Sequence, residues 1–332
     1  MALGQAKLKS ISGNTTAFQS DEDWELRQLA EQQRLNLYDQ ISGNKLKSLL
    51  LVIVFTVVVL VLGYVFGRLT GFGYAGVVFA VILSAVMSVG SWFYSDKIAL
   101  ASCSARPANK KEFAYLNNVV EGLCIAAGLP VPKIFVIDDA SLNAFATGRD
   151  PQHASIAVTS GLLAKLDRQE LEGVIAHELS HVKNFDIRYM TMVAVLVGVV
   201  ALLSNWIMRG AIFGGFSGGN DRNEGKGSGM FFIIGIALAI LMPIFAKLIS
   251  MAVSRKREFL ADADGAMLSR NPQGLASALR KIAGDSKPMD SANSATAPLF
   301  ISNPFKDRNW LSNLFSTHPP IEERIKRLQA AA

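Results

Sequence analysis

Four long stretches without a single Asp, Glu, Lys or Arg constrain this chain more than any other feature: residues 48–67, 69–95, 189–208 and 227–246. A helix needs about 20 apolar residues to cross a hydrocarbon core, and all four stretches are long enough. The first reads LLLVIVFTVVVLVLGYVFG and the third MTMVAVLVGVVALLSNWIM. Both are apolar all round, unlike the one-sided stripe of a helix on a soluble protein. The second and fourth are rich in glycine, and the fourth holds Pro243, which membrane helices tolerate. More than forty residues precede the first stretch, so it is expected to stay in the protein as a span rather than leave as a signal peptide.

The net charge of +6 could suggest nucleic acid, but many of the bases flank the apolar runs: Lys45, Lys47, Lys97, Lys183, Arg188, Lys247, Arg255, Lys256 and Arg257. That placement follows the positive-inside bias and puts the basic side in the cytoplasm, so no nucleic-acid partner is expected. An even number of spans then places both termini and the middle region on that side. The turn at Arg68 and the loop 209–229 fall on the other. Cys103 and Cys124 are the only cysteines, far from any CxxC spacing, and read as reduced, buried small residues.

The expected organisation is a polar cytoplasmic segment 1–44, a two-span hairpin 48–95, and a first soluble part 96–188. A third span 189–208, a flexible extracytoplasmic loop 209–229, a fourth span within 230–253 and a second soluble part 254–332 follow. Residues 21–41 have the pattern of an amphipathic helix with Trp24, Leu26, Leu29 and Leu35 on its apolar side. In 96–188, Phe113, Leu116, Val120 and Leu123 mark a helix that stops near Gly128 and Pro130. KIFVI at 133–137 reads as a strand, and NAFAT at 143–147 with ASIAVT at 154–159 reads as a hairpin around the turn residues of GRDPQH. Asp167 and Glu170 have capping-box spacing, and the helix they open is expected to run to Asp186 or beyond. The expected fold class is mainly α with a small β-sheet, a four-span α-helical membrane protein with a soluble domain on the cytoplasmic side.

HELSH, 177–181, lies on that helix. Imidazoles four residues apart share a face, so His177 and His181 can reach one tetrahedral Zn2+, one per subunit, while Glu178 faces the same site as general base for the attacking water. A catalytic zinc needs a third protein ligand, and the chain has only two more histidines, His153 and His318. A carboxylate is therefore sought, and Glu258 in SRKREFLADADG is the best placed. Asp262 lies one turn further on the same face, where it can orient His177 or His181.

The chain resembles the HtpX-type membrane metalloproteases, more distantly related to the CaaX prenyl proteases, over roughly 35–332. The resemblance is carried by NLYDQISGNK, LNAFATGRD, TSGLL, VIAHELSHVKNFD, SRKREFLAD and STHPPIEERIKRL, all in the family's order. It implies that the cytoplasmic part is a gluzincin-like zinc protease domain, that His177, His181 and Glu258 bind zinc, that Glu178 is catalytic, and that the substrates are damaged or misfolded membrane proteins cut in quality control at the cell membrane. It also implies that Asn184 and Asp186 extend the zinc-helix motif, with Asn184 supporting the ligands from behind. The substrate-binding edge it implies comprises Asn143, Ala144 and Phe145 with Ile156, Ala157 and Val158. Segment 1–34 lies outside the resemblance.

The expected partners are protein substrates and the lipid bilayer; nothing in the sequence sets an oligomeric state. The rivals are a CaaX-type prenyl protease, a non-catalytic scaffold with a structural zinc, and a transporter. The transporter lacks the ionisable residues an ion path needs within its spans. Two readings of His318 stay open: a helix-start residue beside Pro319 and Pro320, or a donor to the developing oxyanion.

Overall fold

The computed structural model describes residues 42–57, 59–60, 64, 74–196, 255–293, 296–305 and 319–330. The N-terminal amphipathic segment, the loop 209–229, the fourth apolar stretch and His318 lie outside them. The chain separates into a unit of residues 1–44 and a unit of residues 45–332, and everything below concerns the second.

Two apolar helices come first: α1, which in this unit covers residues 45–57, and α2, Tyr74–Ser102. After β1 (Arg106–Pro107) comes α3 (Ala114–Ala127), which ends on Gly128 in the left-handed region, φ 65°, where a residue without Cβ closes a helix cheaply. Next are β2 (Lys133–Ile137), β3 (Ala144–Gly148), β4 (Ala154–Thr159), the short α4 (Ser160–Lys165) and α5 (Arg168–Lys183). The expected strand and hairpin are present, and so is the reciprocal capping box of Asp167 and Glu170.

The expectation that this helix continues unbroken to Asp186 is corrected. It ends at Lys183, Asn184 and Phe185 form a turn with Phe185 at φ 58°, and α6 starts afresh over residues 186–196. Beyond the undescribed segment lie α7 (Arg255–Ser269), α8 (Pro272–Gly284) and α9 (Ile321–Ala330).

The four strands run in the order β1-β2-β4-β3, with β2 and β4 parallel and the other pairs antiparallel. Strand periodicity divides the side chains between two cores. Val136, Ala144, Ala146, Ile156 and Val158 pack with α3 and α5, whereas Ile137, Phe145 and Ala157 pack with Leu51, Phe55, Leu100, Tyr189 and Phe300. The sheet is thus covered on both faces, and β3 stands at its edge beside α5. Cys103 and Cys124 are free and buried.

Close helix contacts fix α5 from behind. A Cβ at Gly265 on α7 would come within 2.9 Å of the His177 amide nitrogen, so the two backbones touch where the first histidine is held. Among the described residues no helix is long and apolar enough to cross a membrane. The stretches 48–67, 69–95 and 189–208 continue beyond those residues, and 227–246 lies wholly outside them.

Candidate metal centre

His177 and His181 project one turn apart from α5, their rings 4.8 Å apart and nearly perpendicular. Glu258, in the first turn of α7, reaches between them. Its Oε2 lies 3.8 Å from His177 Nε2 and its Oε1 3.6 Å from His181 Nε2. Ligand atoms of the three lie within 4.8 Å of one another, and all three residues are buried. Bonds of 2.0 to 2.1 Å in a tetrahedron put neighbouring ligand atoms roughly 3.3 Å apart, so a small contraction would seat a zinc-sized ion.

Each imidazole is held from its other nitrogen by a carboxylate, as metal-ligating histidines are. Asp262 Oδ1 lies 3.0 Å from His177 Nδ1, and Asp186 Oδ2 lies 3.1 Å from His181 Nδ1. Both Nε2 atoms are thereby turned toward Glu258. Asp262 orients His177 alone; the left-handed turn at Phe185 supplies the partner of His181.

The charges are consistent with a cation. Glu178, Glu258, Asp262 and Asp186 cluster against two guanidiniums, Arg324 and Arg257, with Arg257 Nε 3.6 Å from Asp186. Burial pushes the His181 imidazole down, but the Asp186 hydrogen bond and the charges of Glu258 and Asp186 outweigh it and raise it to about 9. Burial likewise raises the Glu178 carboxyl, against the opposing pull of both histidines. A metal bound here would compete with a proton for His181.

Arg324 was not legible as a site residue. Fully buried, it forks onto Asp262 through Nε and Nη2 at 2.8 and 2.7 Å, donates from Nη1 to the Ile301 carbonyl at 3.2 Å, and places Nη2 3.3 Å from His177 Nε2. Burial opposes the charge on Asp262, yet Arg324 holds this carboxyl far below the usual range. Its signal in the sequence was a cation in the apolar row Ile321, Ile325, Leu328 of an amphipathic helix.

The chain belongs to peptidase family M48. The family model matches residues 110–332. A protease HtpX homologue from Thermoanaerobacter pseudethanolicus is 45% identical over 298 residues, 90% of this chain and 98% of that protein. Homologues from Dictyoglomus thermophilum and Desulfatibacillum aliphaticivorans are 45% and 46% identical over 88% and 87% of this chain, spanning 94% and 90% of their own. The crystal structure of S. mikatae Ste24p aligns at TM-score 0.46 and 20% identity, covering 87% of this chain and 66% of that one. As an HtpX-type M48 protein the chain is a metalloprotease, a hydrolase of peptide bonds.

Other expected residues of this M48 chain fall as follows. Asn184 donates to Ser180 Oγ at 3.3 Å and to Asp264 Oδ2 at 3.2 Å, bracing α5 against α7. Asn143 holds the segment around Ser302 through its amide, Nδ2 to the Ser302 carbonyl at 3.1 Å. Phe145 stacks edge-on with Phe300 at 4.9 Å, and the Ala144 carbonyl accepts from Ile301 N at 3.0 Å. Ile156, Ala157 and Val158 require a correction: β4 is paired on both sides, by β2 and β3, so these three back the edge rather than form it. Edge residue Ala146 donates its amide to Glu178. His153 is exposed and bonded to Asp150 on a surface turn.

Proposed function

We propose that the protein is a zinc endopeptidase embedded in the cell membrane. It would cut damaged or misfolded membrane proteins at the cytoplasmic face, with Glu178 as general base. The observation that carries the catalytic part is the position of Glu178. It is buried beside two imidazoles that converge with Glu258, and it accepts from Ala146 on the edge strand of the sheet.

Bound zinc would supply a Lewis acid and lower the pKa of water to about 7. His177, His181 and Glu258 would hold it, and Asp262 and Asp186 fix the histidine tautomers. Glu178, whose burial raises its affinity for a proton, accepts one from the attacking water and returns it to the leaving nitrogen. An extended peptide laid along the edge strand β3 would lie beside that base, with the Ala146 and Gly148 amides already engaged by Glu178 and Thr191.

Support for the membrane part comes from α2, which leaves Val78, Phe79, Ile82, Val86 and Val89 all more than half exposed, a surface that water does not favour. The positive flanks support the cytoplasmic orientation.

The test is Glu178→Gln in detergent-purified protein, with zinc content and cleavage of a casein substrate both measured. Retained zinc with proteolysis reduced by at least about 100-fold is expected, and wild-type turnover in the zinc-loaded variant would overturn the mechanism. For topology, cysteines placed at 215–225 should react with an impermeant reagent from outside intact cells, and cysteines at 110 or 290 should not.

A further inference from the structure

Trp92, Phe93 and Tyr94 stand at the end of the charge-free stretch of α2, just before Asp96 and Lys97. Aromatic rings gathered where apolar surface gives way to charge mark the headgroup level of a bilayer. At this level a cavity of about 220 Å³ opens between α2 and the first residues of β2 and β4. Its lining includes Trp92, Phe93, Lys97, Lys133 and Arg149, and its single acid is Asp96.

The cations are poised on the rings. Arg149 Cζ lies 5.1 Å from the centre of Phe93 and Lys97 Nζ 5.1 Å from that of Tyr94. Beside the cavity Arg188 Cζ sits 4.1 Å over Trp92, and its buried Nε has no hydrogen-bond partner among the described residues. The nearby carboxylate of Asp150 is already shared between His153 at 2.7 Å and Arg149 at 3.5 Å. With Arg149 facing Asp150, the two lysines Lys97 and Lys133 stand against Asp96 alone, which leaves the cavity with an excess of positive charge and spare N–H donors.

We propose that this cavity binds the phosphate headgroup of an anionic phospholipid, with the acyl chains along the exposed apolar side of α2. The proposal rests on the membrane reading above. Pockets that enclose whole drug-sized ligands run from about 300 to 1,000 Å³, so a smaller cavity suits a headgroup whose tails remain outside. The apolar surface leading away from it offers nothing to free phosphate. An amphiphile uses both halves.

Full-length protein in non-ionic detergent is titrated with dioctanoyl phosphatidylglycerol, dioctanoyl phosphatidylcholine and inorganic phosphate, and binding is read by native mass spectrometry. Phosphatidylglycerol should bind at least about tenfold more tightly than the zwitterionic lipid. The double variant Lys97→Gln, Lys133→Gln should weaken it by about 10- to 30-fold, as expected for two charges near an anionic surface. Both lysines are exposed, so the variant should keep the wild-type unfolding midpoint; Arg149→Gln provides a second, independent loss. Equal binding of the two lipids, unchanged binding by both variants, or displacement of the lipid by inorganic phosphate at similar concentration would overturn the proposal. Fractionation of cells separates the two levels. Protein that leaves the membrane in detergent-free buffer defeats the membrane reading, whereas membrane-bound protein with no lipid preference defeats only the headgroup site.

Discussion

Arg324 and Asp262 form a buried two-pronged ion pair, and the same Asp262 oxygen that accepts from Arg324 Nη2 at 2.7 Å meets His177 Nδ1 at 3.0 Å. A helix near the C-terminus is thereby tied to the metal-binding helix through one carboxylate. Removing the guanidinium leaves that carboxylate buried with only the His177 imidazole beside it. Arg324→Ala should cost about 3 to 5 kcal/mol in denaturant unfolding and lower metal content. Arg324→Lys should recover only part, because an ammonium cannot reproduce the planar fork. Full stability in the lysine variant would show that the fork is not what holds Asp262.

Asp186 and Asn184 are neighbours with different expected effects. Asp186→Asn should weaken zinc binding by about 10- to 100-fold in chelator competition, since it removes the carboxylate on His181. Asn184→Ala should leave zinc affinity nearly intact and lower stability by about 0.5 to 1.5 kcal/mol, the usual worth of a lost hydrogen bond. A comparable loss of zinc in both would place Asn184 in the shell around the metal after all.

Two glycine-to-alanine changes should have opposite signs. At Gly265 the new methyl would meet the His177 backbone nitrogen at 2.9 Å and its Cα at 3.1 Å, so α7 must move off α5. A loss of about 1 to 3 kcal/mol is expected, together with weaker metal binding. At Gly122, exposed on α3 with nothing within 4 Å, alanine should stabilise by about 0.4 to 1 kcal/mol. Thermal midpoints of the two variants, measured side by side, check both signs.

Asp139 gives a pH dependence. Burial pulls its carboxyl up, but hydrogen bonds from Ser141 and Ser291 prevail and hold it below the ordinary value. The folded state then binds fewer protons than the unfolded chain. Its contribution is complete above the unfolded pKa of about 4 and is lost as pH falls through the lower folded value. Urea midpoints between pH 5 and 3 should fall more steeply for the wild type than for Asp139→Asn, and parallel slopes would remove Asp139 from the account.

Local signals carried much of the fold. KIFVI, the hairpin around GRDPQH and the Asp167–Glu170 box were legible because a strand alternation, a turn and a helix cap are each written within a few residues. The cluster of His177, His181 and Glu258 was legible because helical spacing alone brings the two histidines together, and a shortage of histidines points to a carboxylate. Long-range pairing has no such local mark. Nothing near Ala144 announces that Ile301 will donate to it, and nothing in IEERIKRL says that the buried cation of its apolar row will find Asp262. Ile156, Ala157 and Val158 were misplaced for a related reason. A hairpin read from sequence does not reveal that β2 takes the far side of β4.

The break at Phe185 was hidden because the helical pattern continues straight through it. On an unbroken helix, Asp186 would point about 140° away from His181. A left-handed residue without glycine's freedom costs roughly 1 to 2 kcal/mol, and here it swings the carboxylate back beneath the imidazole. The same residue sets the angle at which α6 departs into the third apolar stretch. Phe185 is therefore a joint shared by two features: the direction in which α6 leaves α5 and the aim of Asp186 at His181 both follow from one left-handed backbone residue.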